Sequence, residues 1–387
     1  MVEEQFKGIL MNKINVGFVG AGWMGGVQLQ QLANRDDVNV AYLVEPNQER
    51  ASELLGKLGL NQTKATSSFD DIVKDPKVDA VWLVSPNSFH GPQSIAAMKA
   101  GKHVFCEKPA AIQFDHYLEQ IKLEQDNPKL ITYVDYILYF DSFEQRLRDM
   151  IRQNALGKVT QIQVNYRHPI NIAGDKKWKL SKETMGDAIG MGINHAISVI
   201  VLAMEPQAKP VGVFAISMPA QVRQFEADSI WTIIIRFDNG ATGVCLGNID
   251  TSNGYDAYHS VTGTEGELVF DGRLDPNDKV RYWSNTLTSG KWVYPLDAAR
   301  CAKDGAESWP AGTTTPDSGN VIEHQTGECV GHFLNAVQSG TKSPLSFANS
   351  KAIAEIGWAA QMSAKQGVEV KLPLDERAAA EFFRRQA

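Results

Sequence analysis

The sequence predicts an α/β chain of two domains, a parallel sheet followed by a mostly antiparallel one. Three observations predict it. Short apolar strands alternate with helices from residue 13 to about 135. Beyond that point the strands alternate apolar and polar residues, as in a sheet with one face on a core. And 387 residues are too many for a single core, for which roughly 100–200 is usual. The expected division is 13–135 and 136–387.

The elements follow in order. Residues 1–12 read as a loose leader. "INVGFVG" (14–20) is a β-branched strand, "GAGWMGG" a glycine turn, and "VQLQQLANR" carries helical spacing at Val27, Leu29, Leu32 and Ala33. "VNVAYLVEP" (38–46) is a second strand stopped by proline, and 49–59 is a helix. "DDIVKDP" closes a short helix, 78–87 is a buried strand, and 91–101 is a helix with Pro early and Gly after its end, as capping chemistry prefers. "KHVFCE" is the next strand. After 135 come an amphipathic helix around "FEQRLRDMIRQNALGKV" and strands over 160–168, 229–237, 241–250, 260–270 and 278–284. The Gly-, Pro-, Ser- and Thr-rich stretch 297–319 reads as a long loop, with helices over 321–338 and 347–366.

The bulk properties exclude several functions. A net charge of −7 argues against nucleic acid as a partner, because phosphate binding needs a basic surface. No apolar run reaches the roughly 18–20 residues that span a bilayer, and "MVEEQFKGIL" has no secretory pattern, so the expected compartment is the cytoplasm. Cys106, Cys245, Cys301 and Cys329 are far apart without CxxC spacing, so neither a metal site nor a disulfide framework is expected.

Chemistry enters with "GAGWMG". Gly20, Gly22 and Gly25 have the G-x-G-x-x-G spacing of a dinucleotide turn, with a strand before them and a helix, opened by Trp23 and Met24, after them. Gly20 allows the tight turn, Gly22 lets a pyrophosphate approach the backbone, and Gly25 lets helix and strand pack. The helix N-terminus offers free N–H groups to the diphosphate. Glu45 ends the next strand about 20 residues on, where an acid accepts the adenosine ribose hydroxyls and repels a 2′-phosphate. NAD is therefore favoured over NADP.

The stretch "VDAVWLVSPNSFHGPQSIAAMKAGKHVFCEKPAAI" resembles the signature of the glucose–fructose oxidoreductase / inositol dehydrogenase / rhizopine-catabolism (Gfo/Idh/MocA) family. Its elements here are Ser85, Pro86, Asn87 and His90, then Ala100 to Val104, then Glu107, Lys108 and Pro109. The tail "MSAKQGVEVKLP" is similar to the family's end. The resemblance implies a Rossmann domain followed by an α+β domain built on a large open, mostly antiparallel sheet. It implies a sugar or cyclitol substrate, and homodimers or homotetramers built through the sheet faces. It places Lys108 beside the nicotinamide and the substrate hydroxyl, with Glu107 contacting the nicotinamide ribose or orienting the lysine. Physics supports the lysine, since residues following a strand end of an open α/β sheet enter the ligand crevice. An ammonium there stabilises a developing alkoxide. His90 either caps its helix or lines the nicotinamide crevice.

The sequence also departs from the family. Many members carry a D-x-x-x-H pair on one helix, the i, i+4 spacing stacking both side chains. In "KETMGDAIGMGINHAISVI" (182–200) the histidine corresponds to His195, but Met191 stands four residues earlier. Two explanations compete. A one-residue shift in the helix would put Gly190 and Asn194 at the pair positions, or the aspartate's task has moved. Asp187, two turns upstream, is offered to another substrate hydroxyl. The simplest proton relay is then Lys108 with His195, assisted by Asn194. In "YVDYILYFDSF" the family's arginine run is absent and Tyr139 takes a place there, which suits a neutral ring. Trp178 resembles a frequent family aromatic. Tyr166, Arg167 and His168 serve equally as site residues or as sheet surface. The expected activity is NAD-dependent oxidation of a neutral sugar, glycoside or cyclitol. The alternatives are a redox-neutral NAD-dependent glycoside cleaver and a non-catalytic sugar sensor.

Overall fold

A computed structural model describes residues 13–252, 254–317 and 325–386. The leader 1–12 and the first residues of the expected 321–338 helix lie outside them. The first sheet is parallel, with strands β1 (Ile14–Val19), β2 (Val38–Val44), β3 (Lys64–Thr66), β4 (Ala80–Leu83), β5 (His103–Glu107) and β6 (Thr132–Asp135) in the order β3-β2-β1-β4-β5-β6. Its central strand is apolar and wholly covered: every residue of β4 is buried.

Register builds one feature of this sheet from three aromatic residues. Trp82 lies opposite Phe105, and Phe105 opposite Tyr133. Their rings stack across three strands at centroid distances of 3.9 and 4.9 Å. Phe333, from the helix Thr326–Ser339, closes the ladder edge-on at 5.3 Å from Trp82. The last part of the chain thus returns to cover the first sheet, and Val134 N–H donates to Leu345 O at 2.8 Å.

The second sheet is mixed and mostly antiparallel. It comprises β7 (Val159–Arg167), β8 (Pro210–Met218), β9 (Ile230–Phe237), β10 (Thr242–Asn248), β11 (Asp256–Gly263), β12 (Gly266–Asp271), β13 (Val280–Ser284), β14 (Trp292–Val293) and β15 (Val370–Lys371). Only β7 and β10 run parallel among its described pairs. Along β9, Trp231, Ile233, Ile235 and Phe237 point into the core while Thr232, Ile234 and Arg236 face out, the period-two pattern of the sequence. Helices Asn194–Met204 and Lys351–Gln366 cover the inner face.

Four local expectations change. The helix expected from 91 begins at Asn87, directly after Pro86, whose extended backbone and fixed φ set the start. The 260–270 segment is a hairpin that turns at Thr264 and Glu265. The expected loop 297–319 contains the helix Ala298–Asp304, nucleated by Asp297 accepting the Arg300 N–H. The helix expected through 182–200 breaks into Lys182–Met185, a π-turn over Ile189–Ile193, and Asn194–Met204.

Candidate functional site

The glycine turn is wound tightly on one side and open on the other. Gly20 has φ +102°, and a Cβ there would meet Val84 O at 2.5 Å; one on Gly25 would meet Gly20 O at 2.2 Å. A Cβ on Gly22 would meet nothing within 4 Å. Gly22 is the N-cap of Trp23–Ala33, whose first turn has neither an acid nor a side-chain cap, so its N–H groups are left for an anion. Glu45 lies against this turn, its Oε2 accepting Ala21 N–H and its Oε1 Asn47 N–H, both at 3.0 Å. Trp23 is exposed at the mouth, with Met24 half-buried behind it. These residues fit a dinucleotide: an open backbone cradle at a helix N-terminus, with a carboxylate beside it.

The Ser85-to-His90 motif is tied to the Glu107-Lys108-Pro109 turn by the His90 ring. Its Nδ1 lies 2.7 Å from Pro109 O and its Nε2 2.7 Å from Ser85 O, and the side chain is buried. Burial pushes the imidazole's pKa down, against the pull of the two carbonyls. Asn87 donates to Met185 O at 2.8 Å and the Ser85 hydroxyl to Gln93 at 2.7 Å. This motif therefore fixes the frame in which Lys108 is presented.

Lys108 emerges from the end of β5, half-buried, and its Nζ donates to Met191 O at 2.7 Å. Burial lowers the ammonium's pKa, opposed by the Glu107 and Asp135 charges. Met191 belongs to the π-turn, where the Asn194 N–H reaches back to Ile189 O, the i→i+5 pattern. The π-turn adds one residue to the helical winding at the stretch where the sequence left a shift open. It pairs Gly190 with Asn194, whose Nδ2 donates to Gly190 O at 3.2 Å. The lysine's partner at this turn is thus a backbone carbonyl.

Two glycines make the π-turn fit. A Cβ on Gly190 would come 3.0 Å from Pro109 Cγ, and one on Gly192 2.6 Å from Tyr166 Cε1. Glycine at both lets Pro109 and Tyr166 pack against the turn. Tyr166 stands 5.6 Å from the half-buried His195 ring, centroid to centroid, and its hydroxyl is 3.3 Å from His168 Nδ1. His168 in turn lies 4.9 Å from Tyr255. Burial first, then the Lys108 and Lys179 charges, push His168 down to about 4. Burial and the Lys108 charge also bring Lys179 to about 8.

The structure thus gathers Lys108, Asn194, His195 and Tyr166 around one turn and places three sequence candidates differently. The carboxylate of Asp187 is used within the fold, Oδ1 by the Gly190 N–H at 2.7 Å and Oδ2 by Gln361 at 2.9 Å, so it caps the turn that leads to His195. Tyr139 lies under the Arg148 guanidinium, 4.4 Å from ring centroid to Cζ, and edge-on to Phe140. Trp178 stacks loosely under Lys179, 5.8 Å from Nζ to ring. Sequence reasoning missed Tyr255, Lys179, Gln28 and Asp135. Of these Asp135 carried a signal, as an acid ending the buried strand "TYVD".

Comparison with known proteins agrees with this geometry. Residues 14–135 match the family model described as the oxidoreductase family with an NAD-binding Rossmann fold, and residues 145–269 that of the GFO/IDH/MocA C-terminal domain. The chain is 24% identical to a myo-inositol 2-dehydrogenase of Thermotoga maritima over 261 residues, 67% of this chain and 75% of that protein. It is 22% identical to a glycosyl hydrolase family 109 protein of Stenotrophomonas maltophilia over 356 residues, 77% of this chain and 78% of that one. Its fold is similar to a levoglucosan dehydrogenase solved with NADH and levoglucosan, with a TM-score of 0.76 and 24% identity, covering 94% of this chain and all of that one.

Proposed function

Because the chain belongs to the Gfo/Idh/MocA family of oxidoreductases, we propose that it oxidises a secondary alcohol of a neutral sugar, glycoside or cyclitol, with Lys108 and His195 as its acid/base pair. The observation that carries this reading is the Lys108 ammonium, half-buried at a strand end and aimed at the Met191 carbonyl of the turn leading into His195. Relatives named inositol 2-dehydrogenase support the substrate class.

Gly20, Gly22 and the N-terminus of Trp23–Ala33 hold the diphosphate, and Glu45 holds the adenosine ribose and favours NAD over NADP through its charge. When bound, the nicotinamide supplies the hydride acceptor. The rest is done by side chains. Lys108, as the neutral amine that burial favours, hydrogen-bonds the hydroxyl being oxidised and takes its proton. His195 stands on the following turn to pass that proton on, and Asn194 fixes the turn through Gly190 O. Tyr166 and Tyr255 supply ring faces for the C–H surface of a sugar.

The test is NADH absorbance for purified protein with NAD over a panel of inositols, neutral sugars and glycosides, beside Lys108→Ala. We expect turnover on a neutral polyol and a loss of roughly 100-fold or more in the variant; full activity in Lys108→Ala would remove the lysine from the mechanism. A second reading, redox-neutral glycoside cleavage, has the likeness to a glycosyl hydrolase family 109 protein behind it. Glycoside cleavage without net NADH would decide for it. We expect copies to pair through the open sheet into a homodimer or homotetramer, a reading supported by the exposure of Ile216, Met218 and Ile234 on β8 and β9. Light scattering checks this, and a monomer at micromolar concentration would exclude it.

A further inference from the structure

Beside Lys108 lies a polar group that the proposed chemistry leaves unused. Period two puts Glu107 on the same face of β5 as Phe105, and Asp135 on the same face of β6 as Tyr133. The parallel register sets Glu107 directly opposite Asp135. One amide nitrogen, Gln28 Nε2, donates to both, at 2.7 Å to Glu107 Oε1 and 2.9 Å to Asp135 Oδ2. Gln28 is itself fixed by Trp82 Nε1, which donates to its Oε1 at 2.6 Å. Glu107 is 8% exposed, Asp135 1% and Gln28 0%. Asp135 Oδ1 is buried without a hydrogen-bond partner among the described residues.

Two carboxylates this close and this dry do not both ionise. A proton between them removes the repulsion and gives the unpartnered oxygen a role. Two features choose its host. Lys108 follows Glu107 directly and favours a charge there. Asp135 is the more deeply buried and faces the aromatic ladder, where a charge is costlier. The other titratable groups facing the pair are Cys106 on β5, Tyr133 on β6 and Cys329 on the helix Thr326–Ser339; burial holds all three in their neutral forms. Lys108 is thus the one cation facing the pair among the described residues.

We propose that Glu107 and Asp135 hold one proton between them, on Asp135, so that the pair carries a single negative charge that is the buried counter-ion of Lys108. Asp135 is then a positioning residue: its O–H fixes the Glu107 carboxylate, and that carboxylate sets how readily the lysine gives up its proton. Burial raises both carboxyls, Asp135 the more strongly, in keeping with this. The mechanistic weight of the proposal rests on reading Lys108 as the acid/base. The proton inventory does not.

The test therefore avoids turnover. Competitive labelling of Lys108 with acetic anhydride across pH, read by mass spectrometry, gives the titration midpoint of that one lysine. Glu107→Gln removes the counter-charge and should lower the midpoint by about one unit or more. Asp135→Asn replaces a neutral acid by a neutral amide and should leave the midpoint in place. A drop in Asp135→Asn with none in Glu107→Gln would put the charge on the wrong residue. A drop in both would mean a dianion, and no drop even in the double variant Glu107→Gln/Asp135→Asn would mean no counter-ion; each overturns the proposal, whereas a drop in the double variant alone supports one shared charge that the surviving carboxyl takes over. Circular dichroism and a cooperative melting transition check that the variants fold. Should Asp135→Asn not fold, the infrared spectrum of the wild-type protein at neutral pH decides: absence of a protonated-carboxyl carbonyl band overturns the proposal. Activity in Lys108→Ala with that band present would retire the acid/base reading and leave the shared proton standing.

Discussion

The two glycine-bearing turns of this protein use the missing Cβ in opposite ways. At the dinucleotide turn, Gly22 faces open space. At the π-turn, Gly190 and Gly192 face protein, the proline ring after Lys108 and the Tyr166 ring. The first turn leaves room for a ligand. The second spends its room on packing, and so fixes a carbonyl and a histidine in relation to Lys108. At these two turns the same residue type thus serves two ends, and only coordinates tell them apart.

Substitutions by alanine sharpen this contrast. The larger effect on the fold is expected from Gly192→Ala. Alanine usually gains up to ~1 kcal/mol over glycine within a helix. Here its methyl lies inside van der Waals contact with Tyr166, and overpacking of that kind costs about 1–3 kcal/mol. We expect a lower melting temperature, recovered when Tyr166 is also cut to alanine; a variant as stable as wild type would show that the ring has free room. Gly22→Ala should do the reverse. With nothing within 4 Å of the new methyl, the melting temperature of the ligand-free protein should hold. NADH affinity, read by fluorescence titration, should fall by about tenfold through the displaced diphosphate contacts. Unchanged affinity would break the comparison at its first term.

The same contrast explains what was legible in the sequence. The dinucleotide turn is written in local code: three glycines at fixed spacing, a strand before, a helix after and an acid at the end of the next strand. The alternation of strands and helices that makes the first sheet parallel was an equally local signal. The π-turn was visible only as a misfit, because the i, i+4 rule assumes an unbroken α-helix and has no slot for an extra residue. Asp187 illustrates the consequence. As an acid two turns from His195 it read as a substrate ligand, but the break in the helix created backbone N–H groups for it to cap. Gln28 was hidden for another reason. On its own helix it reads as a solvent-facing amide, and its burial is decided by residues 54 to 107 positions away. The setting of Tyr139 was hidden in the same way, since its partner Arg148 comes from the next helix.

The ladder of Trp82, Phe105 and Tyr133 has a consequence for the order of assembly. Its closing ring, Phe333, is roughly 200 residues further along the chain than Tyr133, and it arrives after the whole second sheet. During synthesis the first sheet is complete in its strands long before its cover exists. At typical elongation rates of about 5–20 residues per second, that interval lasts roughly 10–40 seconds. Throughout it, the three stacked aromatic rings lack the edge-on ring that closes them. The packing of the nascent dinucleotide domain is thus completed by a helix made roughly 200 residues later.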